Sequence, residues 1–227
     1  GLASLAAGAD LSYIILPRIV RDIIASYSPE LITLPYEGEY LTLESVNRVF
    51  EYLDSIKPHV VVIGPGLGDQ PETLRAAGKL IDELLHRGYY LVIDADGLKA
   101  VNLDMNHHGR TVLTPHRGEF KRLTGVELTG DPWRDGDVVK QYASRLNATI
   151  LLKAPVDVIS DGVNVRYNRT GNPYMTIGGT GDVLAGLTAT FLAQTKNPYI
   201  SACIAAYLNG LAGDYLLKKN MMVSPLN

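Results

Sequence analysis

Val60-Val-Val-Ile-Gly-Pro-Gly-Leu-Gly-Asp-Gln-Pro71 passes from four apolar residues through a glycine-rich turn into a pattern that continues to residue 87. The apolar run reads as a buried strand and Pro71 as the first residue of a helix, in which Leu74, Ala77, Leu80, Ile81, Leu84 and Leu85 recur at helical spacing. The same unit repeats on either side. Strand-like runs occupy 11–16, 31–34, 91–93, 111–113 and 149–152, and 156–168 reads as a hairpin turning at Asp161-Gly162. Helical patterns occupy 18–26, 44–56, 119–124, 133–146, 182–194 and 199–218. Continuous apolar strands alternating with helices predict one α/β domain over 1–227, a mainly parallel central sheet with helices on both faces. Residues 1–10 read as the last turns of an alanine-rich helix closed by Gly8, so the chain is expected to be truncated at its N-terminus.

Composition narrows the function. The 227 residues are 46% hydrophobic and 20% charged, which excludes a disordered chain. Lys and Arg number 21 against 24 Asp and Glu, a net charge of −3 without the basic excess that nucleic acid demands. The only cysteine, Cys203, cannot form an internal disulfide, so a reducing, cytoplasmic compartment is expected. Gly, Thr, Asn and Asp interrupt every hydrophobic stretch, so no membrane span is expected.

In parallel sheets ligands sit beyond the C-terminal strand ends, and five such ends stand out. Gly64, Gly66 and Gly68 let backbone approach a ligand before a helix N-terminus, although Asp69 occupies the third glycine position of a dinucleotide fingerprint. A plain tight turn explains the same residues. Asp94 and Asp96 lie two apart and would share one side of an extended chain, or Asp96 would cap a short helix from Leu98. Thr114-Pro-His116 places His116 three residues before Glu119, as in a ligand pair or a capping box, and His107-His108 read as loop. Lys153 ends a buried strand, where an anionic ligand or plain solvent would suit it. The last is Gly178-Gly-Thr-Gly-Asp182, where Gly179, Thr180 and Gly181 bring amides to a helix N-terminus and Asp182 either caps the helix or takes a proton from a substrate hydroxyl. That pairing suggests phosphoryl transfer without a P-loop.

Gly178-Gly-Thr-Gly-Asp182-Val-Leu-Ala-Gly186 resembles the anion-hole motif of the ribokinase-like superfamily, and Thr114-Pro-His-Arg-Gly-Glu119 is similar to its Asn-x-x-Glu motif with His116 in the Asn place. Together with Gly64-Pro-Gly-Leu-Gly68, Val92-Ile-Asp-Ala-Asp96, Leu152-Lys153 and Thr170-Gly-Asn-Pro173, in this order, they resemble the ADP/ATP-dependent NAD(P)H-hydrate dehydratase family. The resemblance implies a three-layer ribokinase-like fold and an enzyme that phosphorylates the hydroxyl of hydrated NADH or NADPH and releases phosphate, restoring the cofactor. It implies Asp182 as base, Gly179, Thr180 and Gly181 on the phosphoryl charge, and Gly66, Gly68 and His116 on the hydrated dinucleotide. Lys153, Ala154, Pro155, Val156, Asp157, Asn172 and Gly178 would surround ADP or ATP, and Glu119 with Asp94 or Asp96 would organise Mg²⁺ through water. It also implies a strand and glycine turn upstream of Gly1, frequent fusion to an epimerase domain, and a homo-oligomer. Tyr174 stands where many bacterial members have Gly, in Gly-Asn-Pro-Gly-Met-Ala-Thr, which leaves ADP versus ATP open. A small-molecule kinase of hydroxyethylthiazole-kinase type and a non-catalytic nucleotide-binding module are the competing readings; an NAD-dependent dehydrogenase lacks its fingerprint.

Overall fold

The computed structural model describes residues 1–225. Four parallel strands, β3 (Val60–Ile63), β4 (Tyr90–Ile93), β5 (Thr111–Leu113) and β6 (Thr149–Leu152), lie side by side in chain order. The hairpin β7 (Asp157–Ser160) and β8 (Val165–Asn168) extends the same sheet antiparallel. Successive residues on a strand face opposite ways. Leu91, Ile93, Leu113, Ile150, Leu152 and Val158 therefore enter a core with α3 (Leu43–Ile56), α4 (Pro71–His86), α5 (Arg117–Thr124) and α6 (Pro132–Leu146). Val92, Val112, Leu151 and Ile159 enter a second core with α7 (Thr180–Thr195) and α8 (Pro198–Lys218). Two cores, one on each face of the sheet, make the predicted three layers.

A second, smaller sheet lies outside this central one. β1 (Ser12–Pro17) pairs in parallel with β2 (Leu31–Tyr36) as a separate two-stranded sheet. Among the described residues β3 pairs only with β4, and Val62 on its outer side is 40% exposed. The unit holding β1 is anchored through α1 (Leu2–Ala6), which packs on α7 where Gly186 leaves room: a Cβ there would lie 3.1 Å from the Ala3 Cβ. The 18–26 helix is also shorter than predicted, α2 covering Arg21–Ala25 after a single 3₁₀ turn, Arg18–Val20.

Local chemistry sets the other helix ends. Thr42 and Ser45 form a capping box on α3, Pro71 and Pro132 take the first-turn position of α4 and α6, and Gly125 closes α5 at φ 77°. α8, with a mean hydropathy of 1.3 over an 18-residue window, is long and apolar enough to cross a membrane by length and composition alone, although Asn209, Gly210, Gly213 and Asp214 interrupt it. In the fold it packs on α7 and on β5 to β8.

His107, read as a loop residue, lies in a turn yet is fully buried; its Nδ1 is 3.2 Å from the Thr111 hydroxyl and its Nε2 has no partner. Burial, with a smaller contribution from His108, pushes its pKa from 6.5 down to about 4. The unfolded chain thus binds the proton more tightly, so the stability given by neutral His107 is complete above pH 6.5 and is lost as pH falls toward 4. At about 1.4 kcal/mol per pH unit this amounts to roughly 3 kcal/mol. Urea unfolding at pH 7 and pH 4.5 should show this fall in the natural chain and a shallower one in His107→Gln; equal slopes would remove His107 as the cause.

Candidate functional site

Parallel strands all present their C-terminal ends on one side, and here four loops meet. Gly64, at φ 129°, ends β3 against the loop after β4: a Cβ there would lie 1.7 Å from the Asp94 carbonyl oxygen. This glycine is structural. Gly66 and Gly68, at φ 71° and 82°, differ, because added Cβ atoms would meet nothing within 4 Å at Gly66 and only the Gln70 side chain at Gly68. Their outer surface is open to a ligand. The Gly68 N–H donates to Asp96 Oδ2 at 3.2 Å, which fastens the turn to the neighbouring loop.

Asp94 and Asp96 do not share a side. A 3₁₀ helix over Ala95–Ala100 starts directly after Asp94, with Ala95 in the left-handed region at φ 47°, and sends the two carboxylates apart. Asp96 lies inside that helix rather than capping it and pairs with Lys99 at 2.7 Å. Asp94, 2% exposed, faces across the end of β5 to Lys153 Nζ, 2.6 Å away. Lys153 is therefore no surface lysine; it also lies 3.8 Å from Glu119 Oε2.

His116 caps α5. Its Nδ1 accepts the N–H groups of Gly118 and Glu119 at 3.0 and 3.2 Å, while Glu119 Oε2 accepts the His116 N–H at 2.7 Å. The capping-box reading is thus correct for both, and with Nδ1 accepting, the ring proton sits on Nε2. The His116 side chain remains 57% exposed beside the same loops. Lys153 N–H donates to the Pro115 carbonyl at 2.8 Å, joining this loop to the one after β6.

α7 begins at Thr180 after Gly179, whose φ is 94°, with no side chain capping it. Asp182 is in the first turn and is not the cap, so the first-turn amides, at the positive end of the helix, have no intrahelical partner. The Thr180 hydroxyl reaches the carbonyls of Met175 and Ile177, both at 2.9 Å, which leaves its N–H as the group available to an anion. A Cβ on Gly181 would stand 3.5 Å from Lys153 Nζ and 3.8 Å from Asp94 Oδ2. Amides, ammonium and two carboxylates thus converge. Desolvation first, and then the Asp94 charge, hold the Asp182 carboxyl above the usual range, against the opposing pull of Lys153.

The remaining predicted residues divide. Asp157 spends its oxygens on the Ala154 N–H and the Asn168 amide, at 3.0 and 2.9 Å, which shapes the turn holding Pro155 and Val156. Asn172 caps the 3₁₀ turn Pro173–Met175, and Gly178 has nothing within 4 Å of an added Cβ. Among the described residues no three His, Cys, Asp or Glu converge on a point that suits a metal ion. Asp94, Asp96 and Glu119, expected around Mg²⁺, are instead held by Lys153, by Lys99 and by the His116 N–H. The Asp94–Lys153 pair was missed because its partners are 59 residues apart and only the strand order brings them together.

The profile of the NAD(P)H-hydrate dehydratase family matches residues 1–227. The chain is 44% identical over 213 residues to a bifunctional NAD(P)H-hydrate repair enzyme of Pyrobaculum aerophilum, covering 94% of this chain and 42% of that protein. It is 38% identical over 218 residues to an ADP-dependent (S)-NAD(P)H-hydrate dehydratase of Nitrosopumilus maritimus, 96% of this chain and 75% of that one. The structure of the Bacillus subtilis ADP/ATP-dependent NAD(P)H-hydrate dehydratase co-crystallized with ATP/Mg²⁺ superposes with a TM-score of 0.77 at 25% identity, covering 96% and 75% of the two chains. The chain spans about two fifths of the length of the bifunctional relatives, and with them it belongs to the NAD(P)H-hydrate dehydratase family.

Proposed function

We propose that this chain dehydrates hydrated NADH or NADPH at the expense of ADP or ATP, through a phosphorylated intermediate. The observation that carries the reading is the exposed Asp182 carboxylate beside the uncapped first turn of α7. A hydroxyl placed there gives its proton to Asp182 while its oxygen attacks the terminal phosphorus of the nucleotide. The bridging P–O bond breaks, and its electrons leave with AMP or ADP. The amides of Gly179, Thr180 and Gly181 hold the phosphoryl oxygens, with Lys153 beside them. The ring nitrogen's lone pair then expels phosphate, and the neighbouring carbon gives up a proton to restore the ring double bond.

On this reading the hydrated ring lies over Gly66, Gly68 and His116, and the donor nucleotide along 153–157 and 172–181. Among the described residues Mg²⁺ finds no ready ligand set, and it would arrive on the nucleotide phosphates. We further propose a homo-oligomer, since Tyr207, Leu208, Leu211 and Tyr215 on α8 are exposed, a cytoplasmic location, and an epimerase domain as covalent or separate partner, as the bifunctional relatives suggest.

The test mixes the protein with hydrated NADH and Mg²⁺, adds ADP and ATP separately, and follows the near-ultraviolet absorbance of restored NADH. A nucleotide-dependent rise with equimolar phosphate supports the dehydratase; a stable phosphorylated alcohol would identify a kinase. Asp182→Asn should abolish turnover with nucleotide affinity within a few fold, whereas more than about a tenth of the natural rate, a loss under roughly 1.4 kcal/mol, would remove Asp182 as base.

The pH profile gives an independent check. Because Asp94 raises the Asp182 pKa, Asp94→Asn should move the acidic limb of kcat to lower pH, Asn keeping an oxygen for Lys153. An unmoved or raised limb would mean that Asp182 is not the group titrating.

A further inference from the structure

We propose that Asp214, on α8, is a positioning residue for the phosphoryl donor, holding the 171–175 turn in register with the amides of α7. Its Oδ2 accepts the Gly171 N–H at 2.9 Å and its Oδ1 accepts the Asn172 Nδ2–H at 3.0 Å. It belongs to none of the ion pairs among the described residues, so this charge serves two donors on one turn. The inference rests on the donor-site reading above.

The turn lies directly on the α8 backbone. A Cβ at Gly210 would stand 2.5 Å from the Thr170 carbonyl carbon and oxygen, and one at Gly213 would stand 2.3 Å from Met175 Sδ. Two glycines three residues apart thus clear one face of α8, and Asp214 follows the second. The Thr170 hydroxyl is 2.9 Å from the Tyr207 carbonyl, and Asn168 Nδ2 is 3.2 Å from that of Ala206, so one strip of α8 holds the whole segment. From Asp214 the bonds continue inward. Asn172 Oδ1 accepts the Tyr174 N–H at 3.2 Å, and the Met175 and Ile177 carbonyls meet the Thr180 hydroxyl, the first residue of α7. With the Met175 N–H donating to the Asn172 carbonyl at 3.0 Å, hydrogen bonds run residue by residue from Asp214 through Asn172 and Met175 to Thr180, and Gly171, at φ 106°, provides the bend at their start.

A scaffold residue and a positioning residue differ in what their loss does. Asp214→Ala and Asp214→Asn are compared with the natural protein by thermal unfolding, by calorimetric titration with ADP and separately with hydrated NADH, and by hydrogen exchange of the 171–177 amides. The expected result is ADP affinity weakened about tenfold or more in Asp214→Ala and less in Asp214→Asn, which keeps one acceptor. Affinity for hydrated NADH stays within twofold, and exchange rises in the turn. ADP affinity within twofold in both variants, or equal weakening of both ligands, would overturn the inference while leaving the donor site standing. A natural protein that binds hydrated NADH but neither ADP nor ATP would overturn the donor-site assignment itself, and this inference with it.

Discussion

The Asp94–Lys153 ion pair joins the loop after β4 to the loop after β6 across the end of β5, and the rest of the site is arranged around it. A carboxylate as buried as Asp94 is tolerable only when paired. Once paired, it positions an ammonium next to Gly181 and a second negative charge near Asp182. On the proposed function the same contact would assist both requirements of phosphoryl transfer, a cation for the donor and a carboxylate basic enough to take a proton. The loops can meet this closely because Gly64 and Gly97 bring backbone against backbone: a Cβ on Gly97 would stand 2.7 Å from the Ile63 carbonyl oxygen.

Much of this was legible in the chain. Strand and helix positions followed from periodicity, since runs such as 91–93 and 149–152 are apolar on both faces and the two cores use alternate residues of the same strands. What failed depended on long-range pairing. The separation of β1 and β2 from the main sheet cannot be read from their composition, which resembles that of the other strands. Asp94 and Asp96 were read as neighbours on an extended chain, but Ala95 at φ 47° turns one toward Lys153 and the other toward Lys99. His107 lies in a loop, as its sequence suggests, but its burial is hidden because a polar Asn-His-His-Gly turn signals solvent, and nothing local shows that the Leu146 carbonyl receives its N–H.

The start of α7 departs from what a merely stable helix would choose. Cap residues such as Thr42, Asp131 and Asn197 satisfy first-turn amides elsewhere in this chain, and a good cap is worth about 1 kcal/mol. At Gly179 that stabilisation is absent, and the carboxylate that would serve as a cap, Asp182, stands three residues late. An uncapped helix end beside an ammonium is a poor choice for stability and a good one for anions. Local rules are broken where the chemistry is expected to occur.

The geometry also separates what the protein would do from what the substrate would do by itself. On the proposed function Asp182, the α7 amides and Lys153 would all serve the making of a phosphate ester, and a kinase would need the same groups. The dehydratase outcome then depends on the alcohol: a phosphate on a carbon beside an electron-rich ring nitrogen departs, whereas one on an ordinary carbon stays. On this view the residues that distinguish repair from simple phosphorylation are those that select the hydrated ring, Gly66, Gly68 and the exposed face of His116, rather than those that move the phosphoryl group. On the same view one fold would serve both chemistries, because the step it would accelerate is the same.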